Sequence, residues 1–375
     1  MLVEKESSVG EPAAVTSKPS ARGRLPRPDS SVRRASRLSL HLRPTILIWT
    51  TGVALLLYAT LQGNATTAGA RAAAPYCSLG VLQRNQPLLR PRPRSFYSVD
   101  ALNPDVVAYH GKYLMYFSGN SVSSTIQPRW VTGLAVASRP MGPFRVDARF
   151  RGHYLNGGTT LWRGRLWHLV EVVPGTVNEL ATSVDGRTWH HVAWLPTFVS
   201  NGVKVAGADF SLFVEHGELV ASMFLVHTRP LGSAFALGRV HFDGRRWHGF
   251  ETVLRRDASL PYEGYDVGEP EIFDTAAGET AMLYGATAAD NVRSIAMAVL
   301  RQGRWVRCGN NPVIRAGVPW AHTIAIDPSV LRIGPVTYVY YGGASSTGLG
   351  SNLSGAIGVA RFVDRYRSFG RVALR

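Results

Sequence analysis

Asn103-Pro104-Asp105-Val106-Val107 opens a pattern that returns four times along this chain of 375 residues. The later copies are Asn156-Gly157-Gly158-Thr159-Thr160, Asp209-Phe210-Ser211-Leu212-Phe213, Glu269-Pro270-Glu271-Ile272-Phe273 and Asp327-Pro328-Ser329-Val330-Leu331. Each begins with an acid or its amide. In four copies the fourth and fifth residues are apolar; the second has two threonines there. A turn with glycine follows each copy (His110-Gly111, Arg163-Gly164, His216-Gly217, Ala277-Gly278, Ile333-Gly334), then a second apolar or aromatic run. The starts are 53, 53, 60 and 58 residues apart. Repeats of this length, built from short strands rich in Val, Tyr and Leu, predict propeller blades.

The back half of each repeat agrees. Asp185-Gly186-Arg187-Thr188-Trp189, Asp243-Gly244-Arg245-Arg246-Trp247 and Gln302-Gly303-Arg304-Trp305 each place a tight turn before a tryptophan. Met141-Gly142-Pro143-Phe144 and Arg367-Ser368-Phe369 are weaker echoes. A hairpin entering an outer strand needs such a turn. The predicted fold is all-β: a five-bladed β-propeller over residues 103–375. A β-sandwich with chance similarity is the alternative.

Before the propeller the composition changes. Residues 1–43 are rich in Ser, Pro and Arg without apolar periodicity, and disorder is expected. Residues 44–63 form an uncharged apolar run close to the roughly 20 residues that cross a bilayer. Arg22, Arg24, Arg27, Arg33, Arg34, Arg37 and Arg43 all precede it. The positive-inside rule then predicts a single-pass anchor with the N-terminus cytoplasmic and the propeller exported. A cleaved signal peptide, with Ala72-Ala73-Ala74 at the cleavage site, is the competing reading and would make the protein secreted. Residues 64–102 read as a stalk and Pro-rich linker.

The net charge of +16 comes mostly from scattered arginine. No basic module interleaved with aromatics is present, so nucleic acid is not an expected partner. Cys77 and Cys308 are the only cysteines. Both fall on the exported side, where a disulfide is permitted. They lack metal-ligand spacing, and no metal site or required cofactor is expected. Asn64-Ala65-Thr66 and Asn352-Leu353-Ser354 match the glycosylation sequon. A monomer is expected.

In a propeller the innermost strands line one channel, so the five opening residues converge. Side chains two apart share a strand face, which would put Asp105 beside Asn103 and Glu271 beside Glu269. Carboxylates held close raise one another's proton affinity, and one can stay a donor while another is a base. Glycoside hydrolysis needs such a pair. The alternative role for these acids is to bond neighbouring backbone amides, or to hold a central ion or water.

The Asp-Pro-Ser-Val-Leu form, the Glu269-Pro270 copy and the five repeats resemble the five-bladed propeller glycoside hydrolases. Those include the family 43 arabinanases and xylosidases, and more distantly the invertases and levansucrases. The resemblance implies a base in the first blade, an orienting aspartate in the third, matched by Asp209, and a general acid in the fourth, matched by Glu269. Glu271 is an alternate, because Glu-Pro-Glu stands where that family has Glu-Gly-Pro. At the base position stands Asn103, an amide that takes no proton from water. Asp105 is the expected substitute and Asp327 a further alternate. The resemblance also admits a central structural ion such as calcium, and His322 is similar to a fifth-blade histidine directed at such an ion or a water.

An oligo- or polysaccharide is therefore the expected partner, with Asn156, Trp130, Tyr265, Trp320 and His322 expected around it, the aromatics stacking on sugar rings. Trp162 and Tyr262 are further rim aromatics. Ser183-Val184-Asp185-Gly186-Arg187-Thr188-Trp189 is close to a sialidase Asp-box, one residue short, and reads as a hairpin turn. The departure at Asn103 leaves room for a transglycosidase, a phosphorylase or a non-catalytic glycan-binding propeller.

Overall fold

The computed structural model describes residues 77, 81–83, 86–122, 130–152, 155–173, 176–346 and 353–363. The expected disordered segment at 1–43 and the expected membrane span at 44–63 lie outside the described residues. Among the described residues no helix is long and apolar enough to cross a membrane.

Five antiparallel sheets follow one another along the chain. Blade I contains β2 Asp100–Tyr109, β3 Lys112–Asn120, β4 Trp130–Ala137 and β5 Arg145–Val146. Blade II contains β6 Leu155–Trp162, β7 Arg165–Val173, β8 Val177–Ser183 and β9 His190–Trp194. Blade III contains β10 Phe198–Ser200, β11 Val203–Glu215, β12 Glu218–Thr228, β13 Leu231–Phe242 and β14 Trp247–Arg255. Blade IV contains β15 Asp266–Asp274, β16 Thr280–Thr287, β17 Arg293–Arg301 and β18 Arg304–Arg307. Blade V contains β19 Ile324–Ile333, β20 Val336–Ala344 and β21 Ala356–Val363. A single parallel bridge, Arg293 with Ile324, joins blades IV and V.

The outermost strand of blade V is β1, Val81–Gln83, paired antiparallel with β21. This corrects the reading of residues 64–102 as stalk and linker alone. The segment supplies a strand that closes the ring, and it shields the open edge of β21. The disulfide is formed: Cys77 and Cys308 are bonded, with Cα atoms 5.5 Å apart. Asn310 holds the same junction, accepting from the Cys77 N–H at 3.0 Å and donating to its carbonyl at 2.9 Å.

The core is distributed between blades rather than within one layer. Trp162, Leu169, Leu212 and Met223 pack blade II on blade III; Leu237, Val267 and Ile272 pack III on IV. Leu283, Met297, Val339 and Tyr341 join IV to V, and Val106, Phe117 and Tyr340 join V to I. Alternate residues of each strand face opposite sheets, so a blade buries both faces and its strands read as nearly continuous apolar runs. Trp162, one of the rim aromatics, is 5% exposed and bonds the Gly217 carbonyl of blade III at 3.0 Å. The Asp-box-like turn is likewise structural: Tyr116 of blade I donates to the Gly186 carbonyl at 2.8 Å, and Trp189 packs edge-on against Tyr116.

Candidate active site

The five opening residues share one backbone device. Asn103, Asn156, Asp209, Glu269 and Asp327 all have positive φ, between 44° and 52°. At each, the register of the inner strand against its neighbour slips: between Leu102 and Asp105, Leu155 and Gly158, Ala208 and Ser211, Gly268 and Glu271, and Ile326 and Ser329. These are β-bulges, which re-aim side chains. Asn and Asp tolerate the left-handed region better than other side chains, which accounts for four of the five; a glutamate there is strained. The bulges turn the five side chains toward one central cavity.

The cavity has two tiers. The upper holds Asn103, Asn156, Asp209, Glu269 and Asp327, all half-buried. Neighbouring blades are stitched together here: Glu269 Oε2 accepts from the Asp327 N–H at 3.3 Å, and the Asn103 amide donates to Asn156 Oδ1. The lower tier holds Asp105, Ser211, Glu271 and Ser329. Here Ser329 Oγ accepts from Val106 N at 3.0 Å, and Glu271 Oε1 from Val330 N at 2.8 Å. Thr159 and Ser329 lie beside the Asp105 carboxyl and oppose its rise. Gly158 takes the corresponding place in blade II because a Cβ there would lie 2.5 Å from the Ser211 Cα.

A fourth acid is bonded to the upper tier. The residue before each opener pairs with Ser118, Glu171, Phe224, Gly285 and Gly342 respectively. In blades IV and V this partner is glycine, and a Cβ on Gly285 would collide with Glu269 Oε2. In blade II it is Glu171, 3% exposed, whose Oε1 accepts from Asn156 Nδ2 at 3.2 Å and from the Asp209 N–H at 3.0 Å. The sequence signal for Glu171 is one acid inside the apolar run Leu166–Val172, at the register where two other repeats carry glycine.

The electrostatics follow this layout. Burial, then the charges of Glu171, Glu269 and Asp327, hold the Asp209 carboxyl well above the usual range, with Arg293 opposing. Burial and Glu269 do the same to Asp327, again against Arg293. Glu269 is raised by burial, while Arg293 and the Asp327 N–H pull it back. In the lower tier burial pushes Asp105 up to about 7 and Glu271 up to about 8, Asp105 also raising Glu271. Oδ2 of Asp105 and Oδ2 of Asp327 are buried without a hydrogen-bond partner. Four crowded carboxyls with one nearby guanidinium cannot all ionise at neutral pH, so the upper tier holds protons and bases together.

The predicted rim is less complete. None of Trp130, Tyr265, Trp320 and His322 lines the cavity. Trp320, expected to stack on sugar, is 7% exposed and fills the space over Gly343 and Gly358, stacked on Tyr341. Trp130 packs against the Leu102 and Ile324 cluster, and Tyr262 is half-buried beside Asn311. Tyr265 and His322 are exposed. Asn156 is in the upper tier. No group of three or more His, Cys, Asp or Glu among the described residues is arranged to hold a metal ion.

No protein-family model and no curated protein sequence matches this chain. Solved structures do match its fold, among them propeller enzymes that act on glycosides. The catalytic domain of a Coprinopsis cinerea family 62 α-L-arabinofuranosidase superposes with a TM-score of 0.58 at 13% identity, over 76% of this chain and 97% of that one. A β-1,2-mannobiose phosphorylase from Listeria innocua gives 0.58 at 12% identity, over 76% and 97%. A thermostable family 43 glycoside hydrolase gives 0.52 at 12%, over 69% and 88%. At these identities the shared property is the fold.

Proposed function

We propose that this chain is a glycosidase acting on an oligo- or polysaccharide, with Glu269 as proton donor, Asp209 as its tuning partner and Asp327 as the base. The observation that carries the reading is the gathering of Asp209, Glu269 and Asp327 at one cavity, with Glu171 bonded to the Asp209 N–H; Glu171, Glu269 and Asp327 raise Asp209, and Glu269 raises Asp327. In the reaction Glu269 gives its proton to the glycosidic oxygen as the C1–O bond breaks. Water attacks C1, and its proton passes to Asp327. Asp327 is favoured over Asp105 because it shares a tier with Glu269, and when Glu269 carries the proton the charge that raises Asp327 is gone, leaving Asp327 free to ionise. Asp105 lies between Thr159 of blade II and Ser329 of blade V in the lower tier, where it reads as an inter-blade contact. Glu271, bonded to Val330 N, has the same role.

The apolar run at 44–63, with seven arginines before it, supports an exported, membrane-anchored enzyme. Incubating the full chain with arabino-, xylo- and manno-oligosaccharides, with and without phosphate, tests the reading. Release of reducing sugar without phosphate is the expected result. Strict phosphate dependence would move the assignment to a phosphorylase. Binding without product would favour a glycan-binding propeller, a reading that the Asn103 amide supports because it removes the expected base; Asn103→Asp would then be expected to create activity.

A further inference from the structure

Strand β13 carries a distortion that the propeller does not require. Phe224 of β12 pairs with Leu237 and Val226 with Ser233, so residues 234–236 lie against Leu225 alone. Phe235, at the crest, has a φ of 51° and stays 41% exposed. Fourteen described non-glycine residues have positive φ; five are the bulge openers, and His110, Arg163, Asn201, His216 and Gln302 precede turn glycines. Phe235 is the only Phe, Tyr or Trp among them. A bulky side chain in this region is strained, and such strain gathers at functional sites. Core packing does not account for it: Ala234 and Ala236 on either side pack into the core, and Phe235 is the residue turned out.

The surroundings tie this aromatic to the pocket. The Arg256 N–H donates to the Phe235 carbonyl at 2.9 Å, and its guanidinium lies 4.3 Å over the Phe235 ring. Arg256 Nη1 donates to the carbonyl of Tyr265 at 2.6 Å, and Tyr265 is 45% exposed. Ser233 Oγ accepts from Phe235 N at 2.8 Å and donates to Asp266 Oδ1 at 3.0 Å. Asp266 begins β15, three residues before Glu269, and its charge acts on that carboxyl. Bulge, guanidinium, tyrosine and the first residue of β15 form one bonded unit at the boundary of blades III and IV, three residues from Glu269 of the pocket.

We propose that Phe235, Arg256 and Tyr265 form a subsite for the sugar on the leaving-group side of the cleaved bond. This rests on Glu269 as proton donor, because the leaving oxygen departs beside the acid and its sugar then lies over the start of β15. The occupant is a pyranose or furanose ring. Its C–H face rests on the exposed aromatic surface, and its hydroxyls accept from the remaining N–H groups of Arg256.

Phe235→Gly tests this directly, since glycine relieves the positive φ while deleting the ring. The probes are a hexasaccharide of whichever series the wild-type chain cleaves, and the matching glycosyl fluoride, which has no leaving-group sugar. The expected result is a kcat/KM lower by about tenfold on the hexasaccharide, an unchanged value on the fluoride and an unlowered Tm. Equal losses on both probes, or none on either, overturn the subsite. If the wild-type chain cleaves neither, titration calorimetry with the arabino-, xylo- and manno-hexasaccharides decides. Binding that Phe235→Gly weakens keeps a sugar site at Phe235 but ends both its leaving-group role and the catalytic reading; binding that Phe235→Gly leaves unchanged, or absence of binding, ends the site as well.

Discussion

Acids recur in two places in this fold, and the chain uses them in opposite ways. At the hairpin turns of blades II and III they are spent on the backbone. Asp185 Oδ1 accepts from Arg187 N and Thr188 N, both at 2.7 Å, and Asp243 Oδ1 accepts from Arg245 N and Arg246 N at 2.7 and 2.9 Å. Those donors hold Asp185 down at about 2, the Thr188 N–H contributing most, and lower Asp243 for the same reason. At the bulges of the inner strands, Asp209, Glu269 and Asp327 are buried among one another and pushed the other way. The same residue type is a fixed anion at the turn and a proton store at the axis. Solvent and available N–H groups decide which, and only the second arrangement can do acid–base chemistry near neutral pH.

The largest break in that comparison comes from removing the proton donor. Glu269→Gln keeps the shape and loses the proton, so kcat/KM on the cleaved oligosaccharide should fall by about 10²–10⁴ with Tm retained. Asp327→Asn should fall comparably, and Asp105→Asn much less. A larger loss at Asp105 than at Asp327 would return the base to the lower tier. Gly285→Ala probes the same acid from behind. Its new Cβ meets Glu269 Oε2, and displacement of a reacting group by about 1 Å costs on the order of 10²-fold. The check is kcat/KM beside a thermal melt; an unaffected enzyme would mean that Glu269 is not held where its chemistry needs it.

The sequence carried the fold because the bulges demand unusual residues. Five left-handed positions were filled with Asn, Asn, Asp, Glu and Asp at nearly constant spacing, and that periodicity is what five blades look like in one dimension. The site was less legible for the same reason. Period-two alternation predicts Asp105 beside Asn103, yet each bulge breaks the alternation between exactly those residues and sends them to different tiers. Glu171 went unread because a single acid in an apolar run looks like a tolerated exception until the register puts it at the axis. Trp320 shows the converse: a tryptophan near a strand start has no mark that separates a sugar platform from a cover over two glycines. The three residues of β1 are too few to signal a strand without β21 to pair with.

The turn acids sharpen the contrast from the other side. Asp185→Ala removes bonds to Arg187, Thr188 and Ser183 and should cost about 1 kcal/mol, small because the turn is exposed and water replaces part of the loss. The folded value near 2 lies below the ordinary one. Its stabilisation is therefore complete above about pH 4 and disappears as pH falls through about 2. Denaturant melts of wild type and variant should differ at pH 7 and converge in acid, with the pH–rate profile unmoved.

Asp209→Asn should have an equally small effect of the opposite sign. Its folded carboxyl binds a proton more tightly than the unfolded chain does. Below about pH 3.9 both states are protonated and the carboxyl costs nothing. As pH rises, the unfolded chain ionises while the folded one holds its proton, so a penalty accumulates until the folded group also ionises. An amide carries no such penalty. The variant should match wild type near pH 4 and exceed it at pH 8 by about 1 kcal/mol, or about 2 °C in Tm. Comparing the two chains at each pH cancels the opposing contribution of His168, which burial holds down at about 3 and which resists protonation as pH falls. The folded Asp209 keeps its proton over this range, so the substitution removes no charge from beside Glu269 and the alkaline limb of activity should stay in place. A more stable protein with an unmoved alkaline limb would show that Asp209 stores a proton through the working range, whereas a destabilised variant would make Asp209 another backbone anchor like Asp185.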